Sequence, residues 1–539
     1  MIDRLRAAGD QLRVALDNYF HVYSQFQKDC VRIKASGGGT LPLEIVQQLD
    51  TELGFISSYE PRIQQIRSVI SSTRNYSSGI APINTLPPEI LTRIFHLTSP
   101  SDCGLHILCY DEMQYSRHPD YLAEVCTLWR RVAISAHILW VHIDLVPHQR
   151  YSKRLVNRAQ THVARSGKLP IQLHISSDDN FSFEYYGLYD FLQSISRRVE
   201  SLELRVDGPF RGFHRGLFGA LLHDHPTLTK LVLNSQGPYR NNFLVSDTYE
   251  PVGQEEDCWP LVLDCTKDDL ENRFASLSVL ESRGIFPLWT STAYHGLADL
   301  RLLSTSEWSH IREEELINIL ISSPRLRILH FNLEIHDRVN REAVVPVSLK
   351  DLQVVRIFVE DCKADYLSPG SILRLLAPGS KPLRLCLSGH YSPEADSIME
   401  LDSFFARSRV SRFYTQNTFP PLNLLLRQAA HIECVVLEGI GYDDYLDPPA
   451  TWLEIDQHAS SPRLKSLDIF DSILSERELG LLVECCPSST TLHYSTIGRV
   501  SRLLSPHELA ERFTNVVVKG IFGAPSSNPT ADWDILDSD

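Results

Sequence analysis

The sequence predicts an α/β chain, with a helical N-terminal part followed by an irregular solenoid of short strands and helices. Three observations predict it. Up to about Trp140, apolar residues recur at three- and four-residue intervals, the period of amphipathic helices. Beyond it, a six-residue pattern with apolar first, fourth and sixth positions keeps returning, as a repeat architecture requires. Several copies follow a helical run that ends near a proline. With 539 residues, 43% hydrophobic and 22% charged, the chain holds enough apolar material for more than one folded domain.

Residues 1–73 read as amphipathic helices. Ile2, Leu5, Leu12, Leu16, Tyr19, Phe20, Tyr23 and Phe26 fall mostly on one helical face, and Gly37-Gly38-Gly39 ends the run. A second helix can start at Leu41-Pro42, and Pro61 introduces a third short run through Ile63, Ile66 and Val69. An antiparallel hairpin follows, serving self-association, partner docking or packing on the helices that come next. Residues 74–81, rich in Ser and Gly, form the linker.

Residues 82–145 carry two blocks separated by an insertion at 98–120. The first runs Leu86, Pro87, Pro88, Glu89, Ile90 and Leu91, with Ile94 and Phe95 one turn later. Proline has a preset backbone angle and no amide hydrogen, so Pro87 and Pro88 suit a helix start, and Glu89 complements the positive end of the helix dipole. The second block holds Val125, Cys126, Trp129 and Arg130, then Leu139 and Trp140. Both blocks repeat apolar residues at helical spacing and need an apolar partner.

The order Leu-Pro-Pro-Glu-Ile-Leu, Ile-Phe, Val-Cys-x-x-Trp-Arg and Leu-Trp resembles the F-box, the helical module of F-box proteins. The resemblance implies a noncatalytic substrate-recognition subunit of a Skp/cullin/F-box ubiquitin ligase, with the Skp adaptor, and through it a cullin, as partner. It assigns adaptor binding to Leu86, Pro87, Pro88, Glu89, Ile90, Leu91, Ile94, Phe95, Val125, Cys126, Trp129, Leu139 and Trp140. The insertion departs from the shorter connection usual in that family. A scaffold that joins the adaptor without delivering targets for degradation fits the same residues.

From 146 to 524 the repeats follow. Val199-Glu-Ser-Leu202-Glu-Leu204, Leu228-Thr-Lys-Leu231-Val-Leu233, Leu297-Ala-Asp-Leu300-Arg-Leu302, Leu326-Arg-Ile-Leu329-His-Phe331 and Leu352-Gln-Val-Val355-Arg-Ile357 align, as do Ile432 to Leu437, Leu464 to Ile469 and Phe513 to Val518. Alternation sends the apolar residues to one face of a short strand. Residues 217–226, 316–324 and 479–487 are helical runs between them. A lone unit cannot bury both helix and strand, but stacked units share one core. This part resembles leucine-rich repeats of irregular length. The polar, acidic stretch 237–257 reads as an exposed loop, and the gap from 387 to 432 as two helices, near 397–407 and 422–430. Residues 525–539 read as a disordered acidic tail.

A formal charge of −15 argues against general affinity for nucleic acid, which needs clustered Lys and Arg, and favours a basic or neutral protein partner. Eleven cysteines without regular spacing argue against a disulfide framework. The N-terminus lacks the apolar core of a signal peptide and no apolar run approaches the ~20 residues of a membrane span. The expected setting is cytoplasmic and/or nuclear, without membrane contact.

No catalytic, cofactor-binding or metal-binding set stands out. Cys103, His106, Cys109 and His118 offer zinc-type donors, but without paired ligand spacing. Gly439-Ile-Gly441 lacks the third glycine of a dinucleotide fingerprint, and Cys485-Cys486 sits at a helix end, where burial accounts for it. The informative surface is the outward strand face. There His330, Asn332, Arg356, Phe358, Asp468 and Phe470 are the expected contacts to an unknown protein target.

Overall fold

The computed structural model describes residues 2–35, 42–75, 82–98, 106–107, 113–114, 118–146, 152–178, 187–208, 210, 212–222, 228–235, 241–249, 258–305, 309–338, 344–358, 368–388, 395–416, 431–440, 464–486, 489–499, 502–519 and 530–536. The fold is mixed α/β, with N-terminal helices and a large parallel sheet. It divides into two compact units, Met1–Ile94 with Leu122–Val132, and Phe95–Tyr121 with Ala133–Asp539. Among the described residues no helix is long and apolar enough to cross a membrane.

The first unit begins with α1 (Ile2–Ala35) and α2 (Leu43–Asn75). Tyr19 donates its hydroxyl hydrogen to Glu52 Oε2 at 2.7 Å, tying the two helices together. Helix α2 runs unbroken through Pro61, where the sequence predicts a break. An interior proline costs about 3 kcal/mol because it removes one amide donor and crowds the preceding turn. On this exposed helix, water can serve the carbonyl left without a donor. Leu5, Phe20, Leu53 and Ile63 remain exposed, so the hairpin does not bury its apolar residues on the following helices.

Those helices are α3 (Pro88–Leu97), α4 (Leu122–Val125) and α5 (Thr127–Ser135). The Pro87 carbonyl accepts from the amides of Ile90 and Leu91, both at 3.1 Å, so the proline pair does set the start of α3. Trp129 Nε1 donates to Asn84 Oδ1 at 3.0 Å and Arg130 Nε to the Ala123 carbonyl at 2.7 Å, fixing α5 against its approach segments.

The second unit is built on fourteen strands paired in chain order, every neighbour parallel. They are β1 (His142–Leu145), β2 (Ile171–Asp178), β3 (Val199–Asp207), β4 (Lys230–Ser235), β5 (Val279–Arg283), β6 (Asp299–Leu303) and β7 (Ile328–Asn332). The series continues with β8 (Val354–Phe358), β9 (Leu383–Ser388), β10 (Val410–Gln416), β11 (Cys434–Glu438), β12 (Ser466–Phe470), β13 (Thr490–His493) and β14 (Val516–Lys519). Because β1 starts at His142, the sheet unit takes in residues assigned to the helical module on sequence.

Helices return the chain between many of these strands: α6 (Ser152–Arg165), α7 (Leu188–Ile195), α8 (Gly212–Leu222), α9 (Lys267–Phe274), α10 (Glu313–Ser322), α11 (Pro369–Leu373), α12 (Ala395–Arg407), α13 (Glu476–Cys485) and α14 (Pro506–Arg512). One face of the sheet and the helices share a single core. Leu302, Leu329, Phe331 and Ile357 from the strands lie in it together with Leu316, Ile319 and Leu320 of α10. Each such side chain contributes ~1.5–3 kcal/mol on burial, so a one-residue slip of a strand is strongly opposed.

Local chemistry closes the turns. Ser475 and Ser505 each accept from the amide three residues on, while Glu478 and Glu508 reach back to the serine amides, so α13 and α14 both start with a capping box. Buried serines just past the strands serve the backbone of the bends: Ser472 Oγ donates to the Phe470 carbonyl and accepts from the Ile440 amide. Gly284, at φ +67°, has Ser235 O and Thr305 Cγ2 only 2.4 Å from where a Cβ would stand, and no other residue fits there.

All eight strands expected from the repeat pattern are present. Strands β5, β10 and β13 went unread because polar side chains replace apolar ones at core-facing positions, Ser282 in β5 and Thr415 in β10. Strands β2 and β9 have a proline, Pro170 and Pro382, at the first position of the six-residue pattern, whereas β1 fits it as Trp140, Ile143 and Leu145, with its first position assigned to the helical module on sequence. The stretch expected to be an exposed loop at 237–257 contributes Asn241–Ser246, a strand lying between Cys258–Leu263 and Phe286–Pro287, with Phe243, Leu244 and Val245 buried in the core. Helix α12 matches the expected run near 397–407, whereas 422–430 lies outside the described residues.

The expectation of a disordered tail is corrected for its described part. Residues 530–536 pack on the second unit, with Thr530 and Trp533 each 2% exposed. The charge that reads as solvated in sequence is paired with cations of the sheet.

Candidate binding surface

The residues expected to hold an adaptor separate into three groups. Ile90, 48% exposed, and Val125, 55% exposed, face solvent along with Pro87, Pro88 and Glu89, while Leu86, Ile94, Cys126 and Trp129 are half-buried. Leu91, Phe95, Leu139 and Trp140 are buried. Trp140 belongs to the sheet unit, where its Nε1 donates to the Ala133 carbonyl at 2.7 Å and the Arg165 guanidinium lies 4.3 Å from its ring centroid. Core positions and contact positions share the same apolar alphabet, which is why sequence merged them.

Of the inserted segment, Cys103 and Cys109 lie outside the described residues; His106 begins a two-residue strand paired with Met113–Gln114. His118 Nε2 is 3.1 Å from the Phe95 carbonyl. Next to it, Asp120 Oδ2 accepts from Arg158 Nε at 2.6 Å. Burial raises the Asp120 pKa, but His162 and Arg158 outweigh it and hold the carboxyl at about 2. The end of the insertion is therefore anchored rather than a free excursion.

The strand face opposite the helices is the surface with most chemistry. Register aligns Arg301 of β6, His330 of β7, Arg356 of β8, Cys386 of β9, Tyr414 of β10, Val436 of β11 and Asp468 of β12 in one row. Residues 530–536 lie on that row. Asp534 Oδ1 is 3.2 Å from His330 Nε2 and 3.1 Å from Arg356 Nε, and Oδ2 is 3.2 Å from Arg301 Nη1. The Trp533 indole packs in the buried cluster of Cys386, Tyr414, Val436 and Phe470. Arg384 Nη1 donates to the carbonyls of Trp533 at 2.5 Å and Ile535 at 2.8 Å, Arg356 donates to the Thr530 carbonyl, and Arg412 pairs with Asp532 at 3.7 Å.

These surroundings shift the titrating groups in definite directions. Burial raises the Asp534 pKa, but the hydrogen bond from His330 and the nearby Arg356 and Arg301 charges prevail, holding it at about 2. Burial lowers His330. Burial also pushes the Cys386 thiol up to about 12, leaving it a packing group rather than a nucleophile.

Of the residues expected to read a target, His330 and Arg356, at 5% and 7% exposed, thus already hold a ligand group, and Phe470 packs against Trp533. Phe358 meets the His330 ring edge-on at 5.8 Å. Asp468 instead lies 3.3 Å from His493 Nε2, within its own sheet. Asn332 is buried, and its Oδ1 has no hydrogen-bond donor among the described residues.

At the other end of the same face, Asp144 of β1, His174 of β2 and Glu203 of β3 are also in register. His142 Nε2 lies 2.8 Å from Asp144 Oδ1, and His174 Nε2 3.3 Å from Glu203 Oε2. Donor atoms of His142, Asp144 and His174 all fall within 4.8 Å of one another, close enough to converge on a metal ion, with Glu203 orienting His174. The same atoms satisfy one another without one. An open cleft of about 500 Å³ beside α6 and α7 is lined by Gln160, Val163, Ala164, Gly187, Asp190, Phe191 and Ser194, of which only Asp190 is ionisable. Cys486 is fully buried, its thiol against the Ser489 carbonyl at 3.4 Å, and Gly439 is a bend at the end of β11.

A scan against protein-family models and a search of curated proteins both return no match to this chain.

Proposed function

We propose that the chain is a noncatalytic substrate-recognition subunit of a Skp/cullin/F-box ubiquitin ligase. Helices α3 to α5 are its F-box and hold the Skp adaptor, and the parallel-sheet unit is an irregular leucine-rich-repeat solenoid that holds a protein target. The observation that carries the reading is the division within the two matched blocks: Leu91 and Phe95 are buried while Ile90 and Val125 project apolar side chains into solvent. Exposed apolar residues on short helices, beside buried ones that fix their direction, suit a helix-mediated docking surface. Fourteen parallel strands added in chain order, with helices on one face and a row of side chains on the other, support the repeat reading.

The mechanism is proximity. Holding a target beside the transfer machinery raises its effective concentration and fixes lysine presentation, so this chain need supply no acid, base or nucleophile. The test is copurification of a Skp adaptor with the intact chain. Replacing Ile90→Ala and Val125→Ala together removes two exposed anchors worth ~1–2 kcal/mol each and lowers adaptor capture at least tenfold, with thermal unfolding unchanged. Undiminished capture refutes the assignment.

A further inference from the structure

We infer that the outer face of β6–β12 is a binding site for an acidic peptide segment with an aromatic residue at its centre, and that Asp532-Trp533-Asp534 occupies it as the chain's own stand-in until a target replaces it. This deepens the reading of the sheet unit as the target-holding domain and is independent of adaptor binding.

The site has two adjoining parts, and the segment matches each. Arg301, His330 and Arg356 stand side by side on three neighbouring strands and converge on one carboxylate, that of Asp534. The next three strands supply Cys386, Tyr414 and Val436, which with Phe470 of β12 enclose an indole. Arg384 and Arg356 grip main-chain carbonyls, a mode of contact open to other sequences in the same extended path. Side-chain readout is thereby confined to the acid, the aromatic ring and the flanking acid at Arg412.

Charge points the same way. The chain carries a net −15, yet Arg301, Arg356, Arg384 and Arg412 cluster on β6 and β8 to β10, with His330 among them on β7. A buried cation such as Arg356 is a poor way to strap down a segment, because its desolvation offsets most of what pairing returns and an apolar contact would serve better. It is a good way to select a carboxylate. The −15 net charge suggests a basic or neutral partner; this face is built for an acidic one.

Tethering makes the arrangement a competition. Ten residues separate Lys519 of β14 from Thr530. That length of chain reaches ~36 Å when extended, enough for the ~29 Å across six strand spacings from β14 to β8. A short tether of this kind holds its ligand at an effective concentration on the order of 1 mM. A target must outcompete that, by tighter binding or higher concentration, so selectivity and threshold come from the same seven residues.

The test uses the full chain, wild type and Trp533→Ala/Asp534→Asn, with a fluorescent synthetic peptide of residues 526–539 added in trans. The expected result is peptide binding by the double variant at least tenfold tighter than by wild type. Binding should be lost when the peptide carries Trp533→Ala or Asp534→Asn, and lost again when Arg356→Ala is added to the protein. No binding by a double variant that keeps its unfolding temperature, or binding indifferent to those peptide changes, overturns the inference. Should the double variant unfold, a protease site placed within 520–529 of the wild-type chain decides instead. After cleavage the terminal peptide must dissociate measurably and rebind; unfolding of the sheet on its departure makes it a strap and overturns the inference. Adaptor capture measured in parallel is unchanged throughout, so failure here is distinct from failure of the F-box assignment.

Discussion

The two ends of one strand face balance their charges differently. On β1 to β3 the sheet supplies both signs: Asp144 and Glu203 face His142, His174 and Arg205. On β6 to β10 the sheet supplies Arg301, His330, Arg356, Arg384 and Arg412, and much of the balancing charge comes from Asp532 and Asp534, some 200 residues away for His330. Asp299, paired with Arg301 in a bidentate bridge, is the partial exception. A patch neutralised by its neighbours is complete in itself. One neutralised by a distant segment becomes a cationic site whenever that segment leaves.

Removing the aromatic anchor breaks the contrast most severely. Trp533→Ala forfeits ~3 kcal/mol of packing in the Cys386/Tyr414/Val436/Phe470 cluster. Amide hydrogen exchange should show residues 530–536 losing protection while core strands such as β7 keep theirs. Retained protection of the segment would mean that the ion pairs alone hold it.

Acid provides a graded version. Asp534 has a folded pKa of about 2 against an ordinary 3.8, so its contribution is fully present above about pH 4 and fades as pH falls toward 2. Discounted for partial solvent access, that contribution is roughly 1–2 kcal/mol. The Trp533 emission, taken as the difference between wild type and Trp533→Phe, should shift to the red in this window. In Asp534→Asn that step disappears, and an identical acid profile in the two proteins would remove Asp534 from the account.

The smallest effect belongs to the self-contained end. Glu203→Gln weakens contacts to His174 and Arg205 and should cost about 1 kcal/mol, read as a shift of a few degrees in Tm, with the protection of residues 530–536 untouched. A change in that protection would join the two patches into one network and dissolve the distinction between them.

Local pattern made the two-part organisation legible. Proline pairs, helical spacing before Trp140 and the recurring strand pattern after it are short-range signals, and each produces its element wherever the chain goes next. The eight patterned strands and the runs of α8, α10 and α13 are all present for that reason. Strands such as β5 and β10 escaped because burial of Ser282 and Thr415 is set by neighbours in the sheet rather than by their own chemistry. The outward identity of His330, Arg356 and Phe470 was readable from alternation, since a strand has only two faces.

What covers that face was not readable. Asp532-Trp533-Asp534 looks in isolation like the end of a polar tail, and nothing local distinguishes a solvated aspartate from one facing two arginines and a histidine. Long-range pairing is a property of where two segments meet in space. The sequence alone determined a helical N-terminal part, a repeating strand unit and the residues its outer face presents. Only the tertiary structure decided that Leu91, Phe95, Leu139 and Trp140 are buried and that the strand face is cationic at its centre and already occupied. Both depend on contacts between residues far apart in the chain, which no periodicity records.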